Sequence, residues 1–213
     1  NTVVDASTTA ADLIGGATTC DQQLDTAAYW APALFDGDEM LEPVKSTAYY
    51  RPGIDVDPTS VQAYPVGLMM VAGNSAATEV QPVSIVAWSC GAGIEREVLP
   101  PECAEGRYLR LVVTFPDCWD GSHLDSADHH AHIAYSSRGE CPSGYPVPVP
   151  QLQFSVEYPF TGDAAGLRLA SGGLLTGHAD FINGWDQDKL QTEVELCLRR
   201  GVVCGVSSGK KSG

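Results

Sequence analysis

Four of the chain's five histidines lie in one stretch, FPDCWDGSHLDSADHHAHIAY, at positions 115–135. The same stretch contains four aspartates. Imidazole nitrogens and carboxylate oxygens are the ligands that zinc and similar divalent metals bind. Imidazoles beside carboxylates also serve as general acids and bases near neutral pH. This segment is therefore the first candidate for a site of chemistry.

The run DHHAHIAY within that stretch permits two arrangements of its histidines. On a strand, His130 and His132 share one face, because side chains alternate between the two faces. On a helical turn, His129 and His132 share a face instead, because they are three positions apart. In either case Asp125 or Asp128 would be a carboxylate ligand or would accept a ring N–H.

A second histidine–aspartate pair occurs about fifty positions downstream, in GHADFINGWD. His178 and Asp180 are two positions apart, so one strand or extended loop could direct both toward a common point. We expect this pair and the first stretch to meet in one cleft and to hold a divalent metal such as zinc, copper or calcium, or to act as acid and base. The predicted metal ligands are His129, His132, His178 and Asp180, and the predicted catalytic residues are His129, His132, His178, Asp128, Asp180 and Tyr135.

The same residues also have a purely structural interpretation. Histidines near aspartates in glycine-rich loops often form hydrogen bonds that fix the loop, and His123 in DGSH is typical of an exposed turn. Trp119 and Trp185 each lie beside an aspartate and would either anchor loops or stack against a sugar ring. The predicted substrate-binding residues are Trp119, Asp120, Asp125 and Trp185.

The charge balance limits the partners. The 213 residues include 27 acids and 12 bases, which gives a formal net charge of −15. Such a surface repels nucleic acid and anionic lipid, and no apolar run approaches the roughly 18–20 residues of a membrane span. We therefore expect neither a nucleic acid nor a membrane as partner, and we predict a monomer that binds a glycan or cell-wall polymer.

The seven cysteines contain no C-x-x-C pair, which argues against a zinc ribbon or a thioredoxin-type site. Scattered cysteines in an acidic chain rich in glycine and proline are typical of disulfides in an oxidising compartment, so we predict a secreted protein. Pairing neighbours along the chain leaves Cys20 without a partner. The predicted disulfides are Cys90–Cys103, Cys118–Cys141 and Cys197–Cys204.

Short apolar runs rich in β-branched and aromatic residues are separated by turn residues, and this pattern predicts antiparallel strands. The segment QDKLQTEVELCLRR has an apolar stripe at helical spacing, with Asp186 as its N-cap. The sequence therefore predicts a mainly β single domain, an antiparallel sandwich or jelly roll with one C-terminal helix, over residues 1–206, and a disordered tail over 207–213. The predicted strands are 46–50, 66–72, 83–90, 108–115, 150–158 and 166–170.

Three long motifs carry a family resemblance: FPDCWDGSHLDSADHHAHIAY, CPSGYPVPVPQLQFSVEY and GHADFINGWDQDKLQ. They resemble an uncharacterised family of secreted fungal and actinobacterial proteins, a domain of unknown function often joined to WSC or other carbohydrate-binding modules. The resemblance favours His129 and His132 as the paired histidines over His130. It also implies that an N-terminal segment, carrying two more histidines and a cysteine able to pair with Cys20, is missing before Asn1.

Two functions of different classes follow from these features. The first is a secreted hydrolase-like protein that acts on an extracellular glycan or related polymer, with a His/Asp site that activates water, directly or through a metal. The alternative is a non-catalytic extracellular protein that binds a glycan or a metal. A third interpretation is a structural component of a cell-wall or matrix assembly.

Overall fold

The structure is a computed structural model that describes residues 8–92 and 95–205, and thirteen β-strands lie within these ranges. Every strand pairs antiparallel to its neighbours. The strands are β1 (Ala28–Trp30), β2 (Leu34–Asp36), β3 (Glu39–Leu41), β4 (Lys45–Arg51), β5 (Met69–Gly73), β6 (Val86–Cys90), β7 (Leu109–Thr114), β8 (Cys118–Trp119), β9 (Ile133–Ala134), β10 (Val147–Pro148), β11 (Gln151–Tyr158), β12 (Leu167–Leu169) and β13 (His178–Ile182).

These strands form four sheets. The four-stranded sheet has the order β4-β11-β7-β6, and a three-stranded sheet has the order β1-β13-β5. Two further three-stranded sheets have the orders β10-β8-β9 and β12-β2-β3. The first two sheets carry the features that matter for function.

The core lies between the four-stranded sheet and the β1-β13-β5 sheet. Phe154 of β11 stacks on Tyr29 of β1 with ring centroids 5.8 Å apart, and Tyr29 contacts Phe181 of β13 at 5.4 Å. Phe181 also contacts Phe115, just after β7. The two inner faces therefore interlock through aromatic side chains, as in a β-sandwich.

Strand β11 shows why the sequence specifies this sheet. Its residues Leu152, Phe154, Val156 and Tyr158 alternate with polar residues and are all buried in the core, as predicted. The opposite side of the strand is also covered, because Ser155 is buried as well. Burial of polar side chains on an outer sheet face needs hydrogen-bond partners, and arginines supply them, as described below.

Besides three short 3-10 helices (Pro58–Ser60, Ala164–Gly166 and Leu174–Thr176), the described chain has two α-helical elements. The predicted C-terminal helix is present as α2 (Gln187–Glu193), which continues as one π-helical stretch (Val194–Leu198). The carboxylate of Asp186 accepts a 2.9 Å hydrogen bond from the backbone N–H of Lys189, which confirms the predicted cap. A single turn, α1 (Ala10–Leu13), packs on the end of the β1-β13-β5 sheet.

The mainly β sandwich with its C-terminal helix confirms the predicted fold class. All six predicted strands are present, although the one predicted at 66–72 begins at Met69. The pattern missed β1, β2, β3, β8, β9 and β10, each of two or three residues, and it left the five-residue β13 open as a strand or an extended loop. An alternation of two or three residues is too short to stand out from a loop.

All three predicted disulfides, Cys90–Cys103, Cys118–Cys141 and Cys197–Cys204, are present. Cys20 is half-buried and is not in a disulfide. No helix within residues 8–92 and 95–205 is both long and apolar enough to cross a bilayer. The predicted tail at 207–213, and Asn1, lie outside the described residues.

Candidate functional site

Strand β13 directs His178 and Asp180 to the outer face of its sheet. Between and after them, Ala179 and Phe181 are fully buried in the core. Side chains alternate along a strand, so His178 and Asp180 project the other way. Both are partly exposed, and they lie at the centre of the sheet because β13 pairs with β1 and β5 on its two sides.

The histidine-rich loop runs along the free edge of β5. The backbone N–H groups of Met69 and Val71 donate hydrogen bonds to the carbonyl oxygens of Leu124 and His129, at 2.8 and 3.2 Å. Val71 lies directly opposite Asp180 in the β5–β13 register. The fold therefore brings together two segments that are about fifty positions apart in the sequence.

The electrostatic environment of Asp180 includes groups from both segments. Burial raises the pKa of the Asp180 carboxyl, while the charges of His178, His129 and His130 act in the opposite direction, and the burial effect prevails. Three imidazoles thus lie close enough to this one carboxylate to influence its ionisation. A carboxyl with a raised pKa beside imidazoles is suited to proton transfer.

The ring of His178 is oriented by the backbone. Its Nδ1 lies 2.9 Å from the carbonyl oxygen of Thr176, and this contact requires Nδ1 to carry the proton. The other nitrogen, Nε2, then faces the Asp180 carboxylate, with 3.9 Å between Nε2 and Oδ2. This separation exceeds a hydrogen bond, so Nε2 of the neutral ring is available to accept a proton from a bound molecule.

His129 reaches the site from the loop and is itself positioned by a carboxylate. Its Nδ1 lies 2.6 Å from Oδ1 of Asp125, and its side chain is 44% exposed. His129 has a φ of 57°, a left-handed conformation that is uncommon for residues other than glycine. Residues 124–132 are therefore a turn-rich loop, and both predicted geometries, strand and helical turn, are wrong.

His132 does not belong to this cluster, in contrast to the prediction that it pairs with His129. It is only 1% exposed. Its Nε2 lies 2.7 Å from the carbonyl oxygen of Met69, and its Nδ1 lies 2.9 Å from Oγ of Ser126. Both ring nitrogens are occupied, so in this arrangement His132 has no nitrogen left for a metal or a substrate, and it fastens the loop to β5.

Replacing His132 with alanine is therefore expected to lower the free energy of unfolding by about 2–4 kcal/mol, because it leaves a cavity and two unpaired polar groups. Urea denaturation followed by tryptophan fluorescence measures this loss. His129→Ala is the matched control, and at that exposed position we expect a loss below about 1 kcal/mol. Equal losses for the two variants would contradict the structural role of His132.

The remaining predicted polar residues of the loop hold backbone turns. Asp128 accepts hydrogen bonds from the backbone N–H groups of Ala131 and His130, at 2.9 and 3.0 Å, and these bonds lower the pKa of its carboxyl. Asp120 in the same way accepts from the backbone N–H of His123. Neither carboxylate therefore has the raised pKa expected of a general acid at neutral pH.

Tyr135 also differs from its predicted role as a proton donor to substrate. Its hydroxyl donates a 2.8 Å hydrogen bond to the carbonyl oxygen of Thr114, and burial raises its pKa. The hydroxyl is thus committed to the backbone of β7. We assign Tyr135 to the support of the loop that follows β9.

The two tryptophans anchor loops, which was one of the two interpretations of the sequence. The indole N–H of Trp185 donates to the hydroxyls of Tyr50 and Tyr29, at 3.0 and 3.2 Å, and the ring is buried. The indole N–H of Trp119 donates a 2.6 Å bond to the carbonyl oxygen of His123. The buried Trp185 ring cannot present a sugar-binding surface.

A bound metal would need ligand atoms that lie closer together than those of His129, His178 and Asp180, the histidine–aspartate cluster. Zinc and similar ions bind nitrogen and oxygen at about 2.0–2.2 Å, so their ligand atoms lie close to each other. Among the described residues, no three ligand atoms of the histidine–aspartate cluster lie within 4.8 Å of one another. These residues do not fit a metal without rearrangement, and metal dependence stays a prediction.

Sequence patterns missed one residue of this surface, Trp30, and the family resemblance disfavoured another, His130. Trp30 of β1 lies opposite Asp180 in the β1–β13 register and is half-buried, and directly opposed side chains contact each other. His130 is exposed and acts electrostatically on Asp180. Recognising β1 as a strand paired with β13 would have identified Trp30, but its three residues gave no detectable period.

An antiparallel β-sandwich with three disulfides, and with His178 and Asp180 together on an outer sheet face, is the class of protein that these features define. The chain belongs to the family described as a domain of unknown function (DUF1996), whose model matches residues 1–185. The match covers both segments of the site. A search of curated proteins and a search of solved structures returned no match.

Proposed function

We propose that this protein is a secreted hydrolase-like protein that acts on an extracellular glycan or a related polymer through His178, Asp180 and the adjacent His129. The observation that carries the proposal is the position of Asp180 on an outer sheet face, where burial raises the pKa of its carboxyl and Nε2 of His178 lies 3.9 Å from Oδ2. Three disulfides support an oxidising, extracellular location.

The geometry suits a division of labour between acid and base. Burial raises the pKa of the Asp180 carboxyl, and in its protonated form this group would protonate the oxygen of the leaving group. The unprotonated Nε2 of His178 would take a proton from an attacking water, while Thr176 fixes the other nitrogen. The 3.9 Å between Nε2 and Oδ2 exceeds a hydrogen bond but is shorter than the roughly 6.5–9.5 Å that separates acid from base when water attacks a glycosidic bond directly, so the two side chains would have to move apart around the substrate.

A glycan as substrate is supported by the environment of the site. Trp30 lies beside Asp180, and an indole next to a polar centre is a common platform for a sugar ring. The resemblance to secreted proteins joined to carbohydrate-binding modules points to the same class of polymer.

Asp180→Asn and His178→Gln are each expected to lower hydrolysis of the best substrate by about 100-fold, because each removes one proton-transfer group. The double variant should be about as impaired as either single variant, because the two residues would act together. The measurement is release of reducing ends from a panel of extracellular polysaccharides, repeated with a chelator to test metal dependence. His123→Gln is the control, because His123 lies outside the cluster and its side chain is 71% exposed.

Unchanged hydrolysis in both single variants would contradict the proposed catalytic roles. A second candidate function, non-catalytic glycan binding, is favoured by the hydrogen bonds through which Asp120, Asp125 and Asp128 hold the loop. Polysaccharide binding without turnover in the wild-type protein, lost in a Trp30→Ala variant, would support this second candidate.

A further inference from the structure

The outer face of the four-stranded sheet carries a row of arginines. Three consecutive outward-facing residues of β11 each accept a hydrogen bond from a different guanidinium group, and outward-facing residues repeat about every 7 Å along a strand. The donor–acceptor pairs are Arg51 to Gln151 at 3.1 Å, Arg96 to Gln153 at 2.5 Å and Arg110 to Ser155 at 2.6 Å. We call Arg51, Arg96 and Arg110 the arginine row.

The charge of the arginine row is largely uncompensated. Arg110 has a carboxylate nearby, with 3.6 Å between its Nε and Oε1 of Glu157. Within the described ranges, neither Arg51 nor Arg96 has a carboxylate oxygen within 4.0 Å, and both use neutral amide oxygens instead. In a chain with 27 acids and 12 bases, this local excess of positive charge is unexpected.

Buried donors without partners are a second, independent sign of a missing ligand. Arg110 is only 5% exposed, and its Nε–H has no hydrogen-bond partner. The Nε–H of Arg51 is also buried and without a partner. Buried donors are nearly always satisfied, so these two guanidinium groups keep unused hydrogen-bonding capacity beneath this face of the sheet.

The charges of Arg51 and Arg110 act on Arg96, as expected of residues that share one surface. Burial lowers the pKa of Arg96, and the charges of Arg51 and Arg110 lower it further. The net negative charge of the whole chain does not cancel this local field, because at physiological salt charges are screened beyond about 8 Å. An anion that reaches the row therefore meets mainly the charges of Arg51 and Arg96, because Glu157 lies beside Arg110.

We propose that the arginine row binds an extended glycan that carries carboxylate groups, such as a chain of uronic acid residues. A row of guanidinium groups along a strand matches a linear polymer with repeated oxyanions better than a single ion, and guanidinium groups bind carboxylates in a two-pronged manner. Tyr49, which is 50% exposed and lies opposite Gln153, provides an aromatic surface for a sugar ring on the same face.

This proposal rests on the proposed function only for the class of polymer, a glycan. Its site is on a different sheet from His178 and Asp180, so the arginine row would bind the polymer and would take no part in its cleavage. The two proposals can therefore fail independently.

The test is an NMR titration of the full chain that follows the arginine Nε–Hε signals. The probes are α-1,4-linked trigalacturonate, its neutral methyl ester and sodium sulfate at matched ionic strength. We expect trigalacturonate to shift the signals of Arg51 and Arg110, with a dissociation constant at least about tenfold lower than that of the methyl ester or sulfate. Arg51→Gln and Arg96→Gln should each weaken this binding at least about tenfold.

Arg200→Gln, at an exposed position outside the row, is the matched control and should bind as wild type does. Asp180→Asn should also bind normally, which separates this test from that of the proposed function. Binding of the methyl ester as tightly as trigalacturonate would overturn the proposal, as would equally tight binding of sulfate or wild-type affinity in Arg96→Gln. Because Arg96 is exposed, its substitution should leave the fold intact even if Arg51→Gln does not fold.

Discussion

Replacing Asp25 with asparagine is expected to remove a pH-dependent change of about 4 kcal/mol in the free energy of unfolding. Burial raises the pKa of the Asp25 carboxyl from 3.8 to about 7, and hydrogen bonds from Tyr29, Ala27 and Cys20 offset only part of this effect. The side chain is 5% exposed, so its environment differs strongly from that of an unfolded chain.

The hydrogen bonds around Asp25 explain why a carboxyl is tolerated there. The hydroxyl of Tyr29 lies 2.7 and 2.9 Å from the two carboxylate oxygens, and it also contacts the hydroxyl of Tyr50. The indole N–H of Trp185 donates to both tyrosine hydroxyls. This network links β1, β4 and the start of α2 through polar groups beside the core.

The direction of the effect follows from proton binding. Between about pH 4 and about pH 7 the unfolded chain has released the Asp25 proton, whereas the folded chain still holds it. The folded state therefore binds more protons in this range, and stability falls as pH rises. The contribution is fully present below the unfolded pKa, and it is lost once pH has passed the folded value of about 7.

Urea denaturation of the wild type and Asp25→Asn, from about pH 4 to about pH 8, measures this difference directly. The asparagine oxygen can still accept from Tyr29 and from the Ala27 backbone, so we expect the variant to fold and to gain relative stability as pH rises. Asp21→Asn, at an exposed neighbouring position, should run parallel to the wild type. A constant difference between wild type and Asp25→Asn across this range would show that Asp25 titrates normally.

Replacing Gly73 with alanine is expected to lower the free energy of unfolding by about 2–5 kcal/mol. Gly73 ends β5 with a φ of 83°, and an added Cβ would lie 2.4 Å from the carbonyl oxygen of Gly177 and 2.9 Å from Cα of His178. The left-handed backbone costs about 1–2 kcal/mol for a non-glycine residue, and forcing backbone atoms apart adds about 1–3 kcal/mol.

Gly106→Ala isolates the backbone contribution to that loss. Gly106 has a similar φ of 78°, and an added Cβ there would meet nothing within 4 Å. We expect this control to lose only about 1 kcal/mol by urea denaturation. Similar losses in the two variants would mean that β5 and β13 do not approach each other closely at His178.

Periodicity explains which parts of the fold the sequence could predict. Strand β11 has eight residues and the C-terminal helix has more than two turns, so their apolar patterns repeat often enough to be recognised. Strand β1 has three residues and pairs with β13 about 150 positions later. Such pairing depends on the whole topology and leaves no local signal, so Trp30 was missed.

The site itself was predictable only in part. The sequence identified His129, His178 and Asp180, because histidines and aspartates are rare enough here for their clustering to be informative. It did not distinguish His132, whose ring is buried against β5, from His130, which faces the site. Neighbouring histidines can take opposite environments in a loop, and only the backbone path decides between them.

The three disulfides each join cysteines that are neighbours among the bonded ones, with separations of 13, 23 and 7 residues. No bridge encloses or crosses another. During synthesis, when the amino end leaves the ribosome first, each bridge could close before the cysteines of the next pair have been made. The one thiol that could compete is Cys20, which is made first and could capture Cys90 before Cys103 has been made.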